Sequence, residues 1–144
     1  MNLSSHLNLE PVLAYASGTT TRTGTAIDMS GWDGALFIVV NATIASGADG
    51  DMHLVAGATS SLTDSTDDVK GSAVAIVVGD SDTIMVIDYY KPVYRYVTAV
   101  ITKDSSNAQA ESVIAIQYAG SKLPVSEMGS DELLKLLSPA LGTK

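Results

Sequence analysis

Residues Ala35 to Val40 read Ala-Leu-Phe-Ile-Val-Val, apolar at odd and even positions alike. A strand with one wet face alternates apolar and polar side chains, so this run calls for cover on both sides. One cover is expected from a second sheet of the same chain. The other is expected from a loop, an arm or another subunit. Just upstream, Asp28-Met29-Ser30-Gly31-Trp32-Asp33-Gly34 is a glycine-flanked turn carrying the only tryptophan.

Short strand-like runs recur along the chain with turn residues between them. Strands are expected over Val12–Ala16, Gly24–Asp28, Ala35–Thr43, Met52–Ala58, Ala73–Val78, Thr83–Tyr89, Val93–Thr102 and Glu111–Ala119. The breaks at Ser46–Gly50, Gly79–Asp82 and Lys103–Asn107 are rich in residues that accept tight-turn geometry. Period two places Ile114, Ile116 and Tyr118 on one face and Glu111, Ala115 and Gln117 on the other. Val74, Ile76 and Val78 are expected opposite Ala73 and Ala75 in the same way. About eight strands in 144 residues predict an all-β fold, a two-sheet antiparallel sandwich of jelly-roll kind.

Both ends depart from this pattern. Residues 1–11 carry Leu3, Leu7 and Leu9 without alternation and read as an extended N-terminal arm ahead of a sandwich over 12–120. Residues 121–144 read as a linker with Pro124 and Gly129, then a short C-terminal helix. Ser130 can cap it, Asp131 and Glu132 suit its positive end, and Pro139 stops it. Leu133, Leu134, Leu137 and Leu141 share one stripe of it. A helix this short is marginal alone in water, so it is expected to be ordered when docked, on its own sandwich or on a neighbouring subunit.

A formal charge of −8 and scattered basic residues argue against binding nucleic acid or anionic membrane. The absence of cysteine leaves no disulfide framework and no thiolate metal site. Charged residues make up 17% of the chain, against about 25% for an ordinary soluble domain. That suits a β protein holding much of its surface against other protein, or a monomer with a Ser/Thr-rich skin. The start, Met1 to His6, lacks the basic region of a signal peptide, so synthesis in a cytoplasm is expected. No apolar run is long enough to span a bilayer.

No catalytic constellation stands out, and no enzyme activity or cofactor is expected. The two histidines, His6 and His53, are far apart in sequence. The nucleophile-elbow, phosphate-loop and zinc-helix motifs are missing. Acidic turns at Asp49–Asp51, at Asp64 with Asp67 and Asp68, and at Asp80–Asp82 lack the ligand pattern of a calcium loop. The segment Tyr89-Tyr90-Lys91-Pro92-Val93-Tyr94-Arg95-Tyr96 has a different character. Pro92 is expected to open a strand, with Tyr94 and Tyr96 on one face and Arg95 on the other. Tyrosine and arginine favour interface centres. The same residues suit a sugar-stacking platform, or the closure of one end of the sandwich.

Two segments carry a family resemblance. The block from Asp28 to Val40 resembles small β-sandwich head proteins of tailed bacteriophages, in which an Asp-x-x-Gly-aromatic turn precedes a hydrophobic strand. Lys91 to Val100 resembles a basic, Arg-Tyr-bearing strand of that family, and Gly120 to Pro124 its Gly-x-x-x-Pro exit. The likeness spans about residues 12–124. The loop after Met52–Ala58 departs from the family's acidic turn, and nothing is carried over there.

The resemblance implies a capsid decoration or cement protein (head stabilisation) on the virion exterior. It would bind the major capsid protein and neighbouring copies of itself, as a homo-oligomer such as a dimer or trimer. Interface candidates are Leu3, Leu7, Leu9, Val12, Tyr90, Tyr94, Arg95, Tyr96, Leu133, Leu134, Leu137 and Leu141. The alternative is a carbohydrate-binding or tail-associated receptor-binding sandwich that uses the Tyr90–Tyr96 platform.

Overall fold

The computed structural model of the chain describes residues 3–63 and 67–121, which form two packed antiparallel sheets. In chain order the strands are β1 (Asn8–Gly18), β2 (Arg22–Thr23), β3 (Ile27–Asp28), β4 (Trp32–Ile44) and β5 (Asp49–Gly57). They continue as β6 (Asp67–Asp68), β7 (Val74–Val77), β8 (Ile84–Tyr90), β9 (Tyr96–Lys103) and β10 (Gln109–Gly120). The first sheet has the order β1-β10-β4-β8. The second has the order β2-β9-β5-β6, with β3 also on β9 and β7 also on β5.

All eight expected runs contribute strand, and the departures have local causes. β1 starts at Asn8, so Leu9 and Pro11 belong to the sheet rather than to an arm. Pro11 is tolerated because β1 is an edge strand, where a missing donor breaks no ladder. Ahead of it, Leu3–Ser5 makes a single 3-10 turn. The run expected over 24–28 is interrupted between β2 and β3, which both pair with β9; there Gly24 N donates to Ala99 O and Thr25 N to Val12 O of the other sheet, each at 2.9 Å. Val78 leaves the pattern of β7 for a 3-10 turn over Val78–Asp80 and is exposed. The strand expected from Val93 begins only at Tyr96, because residues 92–95 form a turn; Pro92 does not open it, and Tyr94, Arg95 and Tyr96 do not alternate across a sheet. The C-terminal helix and its leucines lie outside the described residues.

Between the sheets, Phe37 and Val39 from β4 meet Met52 and Leu54 from β5 and Val97 and Ile101 from β9, all fully buried. This inner layer is the hydrophobic core. The inward side of β10 is made of Gln109, Glu111, Val113, Ala115 and Gln117, while Ile114, Ile116 and Tyr118 point outward. Two of the buried polar residues of β10, Gln117 and Glu111, are paired across the sandwich. Gln117 Nε2 donates to Asp28 O at 2.7 Å. Glu111 receives Arg22 at 2.8 Å and Lys103 at 3.0 Å, the Lys103 side chain being fully buried. These bonds link β10 of one sheet to β2, β3 and β9 of the other.

The two sheets differ on their outward sides. In the second sheet, Val55, Thr98 and Val100 are buried although they point away from the core. In the first sheet the outward side stays open among the described residues: Ile84 is 66% exposed, Val86 50%, Val40 40% and Ile114 38%. Cover on both faces of Ala35–Val40 was the expectation. The second sheet supplies it on the side of Ala35, Phe37 and Val39 only.

Candidate functional site

The two segments singled out in the sequence meet at one end of the sandwich. β3 ends at Asp28, and the turn Met29–Ser30–Gly31 delivers the chain into β4. Ser30 N donates to Asp28 Oδ1 at 2.9 Å and Trp32 N to Met29 O at 3.0 Å. Gly31 has φ of +86°, a conformation that side chains resist. Facing this turn is the one over residues 91–95. Arg95 Nε donates to Asp28 Oδ1 at 3.0 Å and Arg95 Nη2 to Asp28 Oδ2 at 2.7 Å, a bidentate fork. Met29 N donates to Arg95 O at 2.7 Å.

A second clasp lies beside the first. Lys91 N donates to Asp33 O at 2.7 Å, and its ammonium lies 2.8 Å from Asp33 Oδ2. The Arg95 guanidinium holds the Asp28 carboxyl below its ordinary range, against an opposing desolvation and with further help from the Ser30 amide. Asp33 likewise raises Lys91. Two acids thus face two cations. The groove between the turns, about 400 Å³ and lined by Trp32, Asp33, Lys91, Val93, Tyr94 and Arg95 among others, is close to neutral. Such a groove suits contact with apolar and hydroxyl-bearing surfaces. Asp28, held ionised, has no proton to donate near neutral pH.

The rim of the groove is apolar and presented outward. Val93 is 86% exposed, and its amide donates to the Tyr89 hydroxyl at 3.4 Å. Tyr94 bonds through its hydroxyl to Asp67 at 3.2 Å, which raises the Tyr94 pKa. Tyr90 is exposed and stacks on Tyr118, their ring centroids 6.5 Å apart and their planes 3° from parallel. Tyr118 donates to Asp88 Oδ1 at 2.6 Å, and desolvation with that bond pushes its pKa up to about 12.

Of the sequence-selected interface residues, Tyr90, Tyr94 and Arg95 gather here, with Tyr96 half-buried beneath the Arg95 guanidinium. Leu3 is exposed at the chain start, and Leu7 and Leu9 are half-buried. Val12 is 3% exposed and belongs to the core, so it has no surface to offer a partner. Leu133, Leu134, Leu137 and Leu141 lie outside the described residues. Sequence reading missed Asp28, Asp33 and Lys91 as a pair of clasps. The available signal was that each singled-out segment carries the opposite charges of the other.

His53 lies on β5 with Nδ1 3.4 Å from Asp51 and Nε2 3.8 Å from Asp68. Among the described residues, no group of three or more His, Cys, Asp or Glu is placed to hold a metal.

No protein-family model matches the chain, and no curated protein matches it. A solved structure from work on Bacillus endospore appendages, a family of disulfide-linked pili, is similar at a TM-score of 0.50 and 13% identity. The match covers 82% of this chain and 92% of that one. At that identity the likeness bears on the fold alone, a two-sheet β-sandwich.

Proposed function

We propose that this protein is a capsid decoration protein that attaches to the outside of a phage shell through the turn over residues 92–95. The observation that carries the reading is Val93, an exposed apolar side chain beside Tyr94, on a turn clamped by the Asp28–Arg95 and Asp33–Lys91 pairs. A rigid apolar knob with a Tyr/Arg surround is the composition favoured at interface centres. It loses little conformational entropy on binding, because the clamps already hold it. Leu3 is a second, smaller contact. The partners are the major capsid protein and neighbouring copies of the chain, as a dimer or trimer. Repeated weak contacts on a lattice add up by avidity.

The strand order supports a jelly roll as the finer description. β1 with β10, β2 and β3 with β9, β4 with β8, and β5 with β6 and β7 are nested antiparallel pairs, as in a long hairpin rolled into two sheets. The similar pilus protein belongs to a disulfide-linked assembly. This chain has no cysteine and would assemble through non-covalent contacts.

The test is co-sedimentation with purified shells of the phage whose genome encodes the chain. Wild type is expected to bind at a fixed ratio to capsid protein. Val93→Asp, at a site that is almost wholly exposed, is expected to fold normally and lose at least tenfold in occupancy. Absence of wild-type binding, or binding at the wild-type level by both Val93→Asp and Tyr94→Ala, overturns the proposal.

A second reading, a carbohydrate- or receptor-binding module, is favoured by the presence of Trp32, Asp33 and Tyr94 in one groove. Glycan-array binding that Tyr94→Ala abolishes would select it over shell attachment.

A further inference from the structure

The outward side of the sheet β1-β10-β4-β8 is a continuous apolar floor. Register places Pro11, Ile114, Ile38 and Val86 in one row across the four strands, and Leu9, Ile116, Leu36 and Asp88 in the next. Asp88, the one charged residue in these two rows, is engaged by the Tyr118 hydroxyl. At the end where the chain leaves the sheet, two glycines let aromatic rings lie flat across the strands. A Cβ on Gly34 would run into the Tyr118 ring, and one on Gly120 would lie 2.8 Å from Trp32. An exposed apolar surface of this extent marks a contact.

The geometry of the exit decides what makes that contact. The described chain ends at Ser121, whose amide donates to Gly31 O at 2.7 Å beside Trp32. Residues 122–144 therefore begin at the rim of the floor. They carry Leu133, Leu134, Leu137 and Leu141, and Lys122, Lys135 and Lys144 balance Glu127, Asp131 and Glu132. In a chain of net charge −8 this is a neutral apolar segment beside a neutral apolar face. Eight extended residues reach about 26 Å, close to the length of the floor along its strands.

A second copy is the weaker occupant. A floor of four strands at about 4.8 Å spacing and about 27 Å length offers about 500 Å². Two copies face to face would then bury about 1,000 Å², at the lower limit for a specific dimer. A tethered segment meets the same floor at a high effective concentration.

We infer that residues 130–141 lie over the outward side of this sheet in the same molecule, seating Leu133, Leu134, Leu137 and Leu141 on Ile38, Ile114 and Val86. The segment supplies the second cover that the apolar run Ala35–Val40 requires, and it leaves the turn over residues 92–95 as the exposed contact surface. This inference does not depend on shell binding.

The chain has no native cysteine, so a single nitroxide spin label can be placed on the floor through Val86→Cys. A second variant, Ser112→Cys, labels the same side outside the seat. In each, the amide signals of residues 133–141 are expected to lose at least fivefold in intensity relative to the reduced, diamagnetic sample. In an equal mixture of isotope-labelled unmodified chain and spin-labelled natural-abundance chain, they are expected to keep full intensity. Full intensity throughout in both folded variants overturns the inference and leaves the floor to an outside partner. Loss in the mixture as well as in the spin-labelled sample overturns it in favour of a second copy.

Discussion

Arg95 holds Asp28 through two parallel bonds of 3.0 and 2.7 Å, joining the turn before β4 to the turn before β9 across 67 positions of sequence. Both side chains are partly exposed, so the pair adds little to global stability. Its work is local, fixing the two turns relative to each other.

Asp28 reports that contact directly, because Ser30 N donates to its Oδ1. The folded pKa of Asp28 lies below the ordinary 3.8, so the contribution is present above that value and is lost as pH falls through the folded one. The Ser30 amide shift is expected to titrate with a midpoint below 3.8, and Arg95→Gln is expected to move that midpoint upward. Melting temperature should change by no more than about 3 °C. A Ser30 midpoint unaffected by Arg95→Gln would remove the guanidinium as the cause.

Glu111 presents the opposite case. It is 1% exposed and receives both Arg22 and Lys103, which come from the facing sheet. Removing one member of a buried pair leaves charge without compensation and costs about 3 to 5 kcal/mol. Lys103→Met and Glu111→Ala should therefore each lower the urea midpoint strongly, whereas Lys91→Ala, at an exposed pair, should barely move it. Equal effects at the two sites would contradict the distinction.

Gly34 tests the aromatic shelf. An added methyl collides with the Tyr118 ring, so Gly34→Ala is expected to lift that ring from β4 and break its bond to Asp88. Desolvation and that bond raise Tyr118 to about 12 in the native fold. The stabilisation is present below the unfolded tyrosine value of about 10 and is lost as pH rises through the folded one. Ultraviolet titration of the variant should show one tyrosine moving from about 12 toward the ordinary 10.0. An unchanged titration curve would show that the ring does not need the glycine.

The strand inventory was legible because each run carries its own turn punctuation, as at Ser46–Gly50 before β5 and Gly79–Asp82 before β8. The element bounds were less so. Pro11 reads as a break, yet it is acceptable on β1, and only strand order makes β1 an edge. Pro92 reads as a strand opening, but residues 92–95 bend into a turn because Arg95 is drawn to Asp28 and Lys91 to Asp33. Those partners are distant in sequence, so no local pattern announces them. The candidate site was half legible: Tyr90, Tyr94 and Arg95 stood out by type, while the acids that hold Tyr94 and Arg95, Asp67 and Asp28, did not.

The alternation in β10 separates what each level determines. By itself, the sequence places Ile114, Ile116 and Tyr118 together and Glu111, Ala115 and Gln117 opposite them, since a strand repeats every two residues. Hydrophobicity alone would send the isoleucines inward. The fold sends them outward, because Phe37, Met52, Leu54 and Ile101 already fill the space between the sheets. A central strand facing them has room only for Val113 and Ala115, with Glu111 and Gln117 reaching partners on the other sheet. Packing volume, which depends on every strand at once, thereby decided which face of the first sheet is core and which is an apolar surface in need of cover.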